Sequence, residues 1–342
     1  MKKLSEMMNP LPLNSGFKME GYWVWDGSVV KGEDGNYHMY ASRWPKTVPM
    51  HPGWLVRSEI VHAVSSTPYG PFTFSEVALP PRGPEYWDGC VTHNPHIKKI
   101  GDMYVLYYTG TRYILDCPDE EVSLDHPSVI YARAQKRVGV AYSKSVYGPW
   151  ERSDHPLLET RPGCADSYLT SNPVACVDKT GDIFMIYKGR AYTEPDKNPY
   201  RYGSMKLLFA KGKDAFSLER PNDNVVLGHI QDEMEDPFVW YDRGYHVMAK
   251  DMSGAICGEK RAGFHAFSDN GREWTIDKEP FYSRKIMYED GKECVMGNLE
   301  RPFILFEEEK PICAYFAVSD GTDKEGFMGC KNTWTIAIPL KI

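Results

Sequence analysis

No stretch of this 342-residue chain approaches the ~20 consecutive apolar residues needed to cross a bilayer. The N-terminus, MKKLSEMMNPLPLNSGF, has a short basic start but lacks the apolar core of a secretory leader. As written the chain reads as cytoplasmic, and as periplasmic or secreted if a leader has been trimmed. There is no basic run or stripe, and the net charge is -7, which argues against nucleic acid as a partner. Eight cysteines are present, but none forms CxxC and none has histidine at zinc-ligand spacing, so they read as reduced and mostly buried thiols. Long segments with apolar residues at i, i+3, i+4 and i+7 are also missing, which excludes a helical protein.

What the chain has in quantity is tyrosine and tryptophan, 22 and 9 residues, which suit strand-rich cores and also clefts that bind flat polar molecules. It also has a repeat. A step of the form X-Pro or X-Gly leads into an apolar run, then a polar turn, then a second aromatic-rich run. Five copies start near positions 25, 93, 171, 235 and 300: WDGSVVKGEDGNYHMYAS, HNPHIKKIGDMYVLYYTG, SNPVACVDKTGDIFMIYKG, EDPFVWYDRGYHVMAKD and ERPFILFEEEKPICAYFAV. The aligned steps begin at Asp26, Asn94, Asn172, Asp236 and Arg301, spaced 68, 78, 64 and 65 residues apart. Gly-Asp, Asp-Gly, Arg-Gly and Glu-Lys pairs between the two runs are hairpin signals. Further strands follow in each copy, joined in the first two by an S-x-Y-G-P-aromatic turn and in the fourth by Asp269-x-Gly271-x-x-Trp274, part of an Asp-box. Five units of about four strands, each too small to bury its own faces, predict an all-β, five-bladed β-propeller, each blade a four-stranded antiparallel meander. Residues 1–342 then form a single domain, with the first twenty packing outside or helping to close the ring.

In a propeller the first strand of each blade lines the central channel. Asp26, Asn94, Asn172, Glu235 with Asp236, and Glu300 with Arg301 therefore converge at one mouth, a natural small-molecule site. Two blades share D-x3-T-x-N-P: Asp88, Thr92 and Asn94 in one, Asp166, Thr170 and Asn172 in the other. These residues are either a repeated structural device or contacts at the rim.

The Trp-Asp step opening blade one, Y-Y-T-G closing the second strand of blade two and Glu-x-Pro opening blade four resemble the glycoside hydrolases of family 43, whose fold is shared by families 32, 68, 117 and 130. The resemblance covers nearly the whole chain as an architecture and rests on short motifs. It implies a glycosidase acting on a plant or algal type oligosaccharide or polysaccharide, most simply with inversion. Asp26 matches the family 43 general base, and Glu235, in Glu235-Asp236-Pro237, matches the general acid. The family's third acid, an Asp before Pro in blade three, is replaced here by Asn172, with Asp166 six residues earlier as a substitute. Family 117 is a second fit: its acids in blades one, four and five fall on Asp26, Asp236 and Glu300, but Asn298-Leu299 stand where its relatives have a histidine.

Glycoside hydrolysis needs two carboxyl groups flanking the scissile bond, one of them neutral near pH 7. Asp26 as base and Glu235 as acid, with Asp236 and Glu300 tuning Glu235 or orienting hydroxyls, meet that need. Arg43, Lys188, Arg190 and Arg301 are candidates for binding hydroxyls or anions, or for structural ion pairs. His93, His96 and His265 are candidates for hydroxyl binding, for a metal in the channel or for a structural role, and Trp23, Trp25 and Trp87 for stacking on sugars, or for packing. No cofactor is required. A structural Ca²⁺ or Na⁺ in the channel follows from the resemblance alone. The alternatives are a glycoside phosphorylase of the family 130 type, using a cationic cluster of Arg43, Lys188 and Arg190, and a carbohydrate-binding propeller without catalysis.

Overall fold

The computed structural model describes residues 2–113, 115–194, 201–322 and 324–341. Five antiparallel sheets follow one another along the chain in meander order. Blade one comprises Tyr22–Lys31, Tyr37–Pro45, Glu59–Ser65 and Thr73–Leu79, and blade two Val91–Ile100, Met103–Thr111, Lys136–Ser143 and Glu151–Arg152. Blade three comprises Leu169–Val177, Ile183–Arg190, Lys206–Asp214 and Ser217–Glu219, and blade four Met234–Tyr241, Tyr245–Asp251, Gly263–Ser268 and Thr275–Ile276. Blade five has three strands, Asn298–Glu307, Lys310–Ser319 and Thr333–Pro339. The innermost strand of each blade opens within a few residues of a repeat copy read from the sequence. A separate hairpin, Lys285–Met287 with Glu293–Val295, lies between blades four and five.

The N-terminal segment completes the ring. Met8 bridges Leu340 and Phe17 bridges Thr335, both antiparallel, so residues before blade one take the outer edge of blade five. Leu4, Leu11 and Phe17 are buried there. The seam between blades five and one is further held by Thr333 Oγ1, which accepts from Val24 N at 3.0 Å, and by Thr335 Oγ1, which donates to the Asp26 carbonyl.

The five aligned steps are β-bulges. Pairing between the first and second strands slips at each of them. The residue at the slip has positive φ in every blade: Asp26 68°, Asn94 53°, Asn172 52°, Asp236 54° and Arg301 55°. Asp and Asn reach this left-handed region more cheaply than other side chains, which accounts for four of the five. The proline that follows in blades two to five costs little, because a bulge leaves a residue outside the ladder. Each bulge turns its side chain toward the axis. Below this level the axis is filled by His96, Phe238 and Phe303, whose rings meet at 5.2–6.2 Å.

The D-x3-T-x-N-P motif proves to be a staple between blades. Thr92 Oγ1 donates to Leu79 O at 2.5 Å and accepts from Ile60 N at 3.1 Å; Thr170 makes the same pair with Leu158 O and Val138 N, at 2.7 and 3.0 Å. Asp88 is fully buried and bound by Arg82, Arg152 and the Tyr108 hydroxyl. Asp166 repeats this with Arg161, Arg220 and Tyr187. Each Asp packs against a second-strand glycine that has no room for a side chain: a Cβ on Gly110 would lie 2.6 Å from Asp88 Cβ, and one on Gly189 3.1 Å from Asp166 Cβ.

Two short helices, Met50–Arg57 and Pro127–Ala134, interrupt the meander after the second strands of blades one and two. The first is broken by non-helical backbone at His51 and Pro52, and the second begins with Pro127 at its first position, where the missing N–H costs nothing. Both are too short to show helical periodicity. In the Asp-box-like turn, Asn270 rather than Asp269 bonds the following amides, at 2.8 and 3.0 Å, and Gly271 holds φ at 76°.

Candidate active site

The bulged side chains form a connected belt across the mouth of the channel. Arg301 Nε donates to Asp26 Oδ1 at 2.5 Å, and its second nitrogen lies 3.5 Å from Asp236 Oδ1. Asn94 donates to both oxygens of Asp26 at 3.2 and 3.3 Å, and Asn172 to Asp236 at 3.3 Å. Thr109 Oγ1 joins Asn94 to Asn172, donating to Asn94 Oδ1 at 3.5 Å and accepting from Asn172 N at 3.0 Å.

Above this floor opens a cleft of about 260 Å³. Ten of the expected residues line it: Trp25, His93, Asn94, Asn172, Lys188, Arg190, Glu235, Asp236, Glu300 and Arg301. Asp26 does not. Only 2% exposed, it lies beneath Arg301 and Asn94 with both oxygens taken, Oδ2 also accepting from Ser42 at 2.7 Å. Burial opposes its charge, but Arg301, His93 and these bonds outweigh it, and Asp26 is held below the usual carboxylate range.

Five expected residues lie elsewhere or play another part. Arg43 turns away from the cleft to Glu59 at 2.8 Å, between the rings of Tyr22 and Phe74, so it cannot join a cationic cluster with Lys188. Asp88 and Asp166 are locked in the inter-blade staples. His265 sits on the outer part of blade four, between His246 at 3.0 Å and Asp277 at 2.8 Å. His96 lies in the apolar axis, bonded to the Ala175 carbonyl at 2.9 Å. Of the tryptophans, Trp25 faces the cleft, while the Trp23 and Trp87 indoles bond backbone carbonyls of Val48 and Ser153.

The acids of blades four and five share one buried cation, Lys250. Its Nζ lies 2.9 Å from Glu300, 3.2 Å from Glu235 and 3.4 Å from Asp236. Burial alone would discharge Lys250, but the three carboxylates raise its pKa well above that of a free lysine. Glu235 is also held by Lys188 at 2.6 Å. Against the cost of burial, these two lysines keep Glu235 well below the usual range, so it is ionised. Glu300 goes the other way: burial and the charges of Asp236 and Glu235 outweigh Lys250 and push it up. The count of charges explains the difference. Glu235 is paired with two lysines, Lys188 and Lys250, whereas Glu300 is paired with Lys250, which it shares with Glu235 and Asp236. Glu300 Oε1 accepts from Lys250 at 2.9 Å and from Asn298 Nδ2 at 2.7 Å.

Lys250, missing from the expected set, was within reach of the repeat. Strand pairing aligns Ser42, Thr109, Lys188, Lys250 and Ala317 opposite Trp25, His93, Ser171, Glu235 and Glu300. Each of the first four reaches the opening of the next blade: Ser42 to Asn94 N, Thr109 to Asn172 N, Lys188 to Glu235 and Lys250 to Glu300. The alignment that places Lys188 in IYKG places Lys250 in MAKD. The helices add residues with no such signal: His51 and Trp54 from the first, Arg133 from the second. Trp54 stacks on His93 at 4.8 Å. His93 is pulled down to about 3 and His51 to about 4, chiefly by burial, so both are neutral rings at pH 7.

No group of three or more His, Cys, Asp or Glu suited to a metal occurs among the described residues.

No protein-family model and no curated protein matches this sequence. Solved structures do match in fold. A structure described as a glycoside hydrolase aligns over 98% of this chain and 92% of its own, with a TM-score of 0.66 at 12% identity. A family 117 glycoside hydrolase of the marine bacterium Zobellia galactanivorans covers 100% and 91%, with a TM-score of 0.64 at 15% identity. A thermostable family-43 glycoside hydrolase covers 98% and 93%, with a TM-score of 0.62 at 12% identity. The chain thus shares the five-bladed propeller of these enzymes over its whole described length.

Proposed function

We propose that the cleft hydrolyses a glycosidic bond in an oligosaccharide or polysaccharide. The observation that carries this is the pair Glu235 and Glu300: two carboxyl groups on one small cleft, one kept ionised by two lysines and the other raised by burial and neighbouring charge. Such a split between adjacent acids suits one as proton donor and the other as the group facing the anomeric carbon. In this division Glu300 gives its proton to the leaving oxygen as the bond to the anomeric carbon breaks. Glu235 stabilises or attacks that carbon, and water completes the exchange. Asp26 holds Arg301 in place rather than acting as the base, since none of its oxygens is open to the cleft. Both carboxylates reach one Nζ, which keeps their nearest oxygens within about 6 Å, nearer the ~5–5.5 Å of retaining pairs than the ~6.5–9.5 Å of inverting ones.

The test is a glycan panel with products followed by NMR. Turnover with retained configuration, lost by at least about a hundredfold in both Glu235→Gln and Glu300→Gln, is expected. An inverted product abolished by Asp26→Asn alone would return the base to Asp26. A second reading, a carbohydrate-binding propeller without catalysis, draws on the ion pairs that occupy Asp26 and Glu235. Binding with no product released across the panel would favour it.

A further inference from the structure

The cleft has two electrically different walls. Blades four and five supply the acids. The facing wall, from blades two and three, supplies Lys136, Arg133, Lys188 and Arg190. Lys188 is neutralised by Glu235, and Arg190 is bonded to the Gly203 carbonyl at 2.6 Å and lies 3.4 Å from Glu233. The other two have no such balance. Lys136 is 4% exposed, and among the described residues its ammonium has neither an ion pair nor a hydrogen bond; it lies 4.9 Å from the centre of the Trp54 ring, with Glu235 the acid that acts on it from further off. Arg133 donates to the Tyr202 hydroxyl and lies against its ring, and it has no ion pair among the described residues. A buried ammonium without a counter-charge is costly, and buried charges are ordinarily paired.

We propose that this wall is a subsite for a sugar unit bearing an oxyanion, with a uronic acid carboxylate received between Lys136 and Arg133. The proposal rests on the cleft's being a glycan site and names the class of glycan. Two features favour an anion carried on a sugar over a free one such as inorganic phosphate. The basic groups without an ion pair are two neighbouring side chains, the rest of the wall being already paired. The surroundings are also largely carbon: Trp44, Trp54, Leu169, Met205 and Phe327 line the same cleft, and such surface is of use to a ring and of none to a bare phosphate. Burial, with Lys188, Arg133 and Arg190 nearby, outweighs Glu235 and lowers the Lys136 pKa well below that of a free lysine, and a bound carboxylate would relieve that strain. With cations on one wall and acids on the other, the subsite would also orient the substrate, turning the anionic unit away from Glu235 and Glu300.

The experiment is calorimetric titration of the intact protein with D-galacturonate and D-glucuronate, against D-galactose, D-glucose and sodium phosphate. At least one uronate is expected to bind about tenfold or more tighter than its neutral counterpart, a typical margin for a charge-assisted hydrogen bond. Lys136→Gln and Arg133→Gln should each erase that preference while leaving neutral-sugar binding in place, and Lys136→Arg should keep part of it. Lys136→Gln breaks no ion pair, so loss of fold should not confuse the result. No uronate preference in the wild type, or a preference unchanged in both Gln variants, overturns the subsite. So does phosphate binding that the same variants abolish, together with phosphate-dependent turnover. Glu300→Gln separates this from the hydrolytic proposal. It should keep the uronate preference even where turnover is lost, whereas turnover confined to neutral glycosides, without any preference, leaves hydrolysis standing and removes the subsite.

Discussion

Glu300 and Lys250 set the behaviour of the site at the scale of single residues, and the balance between them can be shifted in both directions. Asp236 raises Glu300 through its charge, while Lys250 lowers it. If Glu300 is the proton donor, activity falls as pH rises through its pKa, because the proton it must give is gone. Lys250→Met removes the opposing cation and should move that alkaline limb to higher pH. Asp236→Asn removes a neighbouring negative charge and should move it to lower pH. Opposite displacements in kcat/KM against pH are the expected outcome; two limbs that stay in place would show that Glu300 does not carry the proton. Lys250→Met should also cost stability, about 3–5 kcal/mol as for other broken buried pairs, since three carboxylates lose the cation they share. The acids themselves were legible in the sequence because each opens a repeat. Their electrostatic surroundings were not. Which carboxyl is raised and which is lowered depends on Lys188 and Lys250, and Asp26 is held beneath a side chain 275 residues away.

Among the elements, the blade-to-blade staples decide what the D-x3-T-x-N-P repeat means. Asp88 and Asp166 have no exposed surface and are each held by two arginines and a tyrosine, so their partners would be left buried and unpaired by substitution. Asp88→Asn is expected to destabilise the protein by about 3 kcal/mol in denaturant unfolding while leaving KM unchanged below the new midpoint. A raised KM with unchanged stability would instead make Asp88 a substrate contact. Blades one and four carry a second shared device, the stacked pairs His38–His62 and His246–His265, with Nδ1 to Nε2 distances of 2.8 and 3.0 Å. Burial pulls His62 down to about 4, and lowers His246 and His265 as well. Folding therefore favours the neutral rings of His62, His246 and His265, while the unfolded chain takes up protons near pH 6.5. The contribution of His62 is complete above about pH 6.5 and is lost progressively as the pH falls from there toward about 4, with His246 and His265 acting in the same direction, because the unfolded state binds more protons. Unfolding free energies that are flat between pH 7 and 4.5 would contradict this. Strands were readable because period-two runs and turn residues mark them. The helices Met50–Arg57 and Pro127–Ala134 were not, since eight residues around a proline carry too little periodicity, and with them went Trp54 and Arg133.

For the molecule as a whole, the ring is closed by non-covalent contacts alone, and the candidate site straddles the closure. Repetition made the propeller legible, since five similar units cannot bury their faces singly. It left open whether the first twenty residues pack outside the ring or help to close it, because the N-terminal segment resembles none of the units. That fastening is the packing of Leu4, Leu11 and Phe17 on blade five, the bridges from Met8 and Phe17, and the Thr333 and Thr335 bonds to blade one. Arg301, on the innermost strand of blade five, crosses the same seam to Asp26 on blade one. Deleting residues 2–17 exposes three large apolar side chains or their docking surfaces. At about 1.5–3 kcal/mol each this is a loss of several kcal/mol, which should lower the thermal midpoint by roughly 10 °C or more. The opening need not be global. With the seam loosened, blade five, which carries Glu300 and Arg301, becomes the blade least constrained, and hydrogen exchange should rise first in Asn298–Glu307 and Lys310–Ser319. Sugar binding should then weaken at temperatures where blades two and three are still fully protected. A truncated protein with unchanged midpoint and unchanged exchange in blade five would mean that the ring is closed by the Thr333 and Thr335 bonds, with the N-terminal segment only resting on its rim.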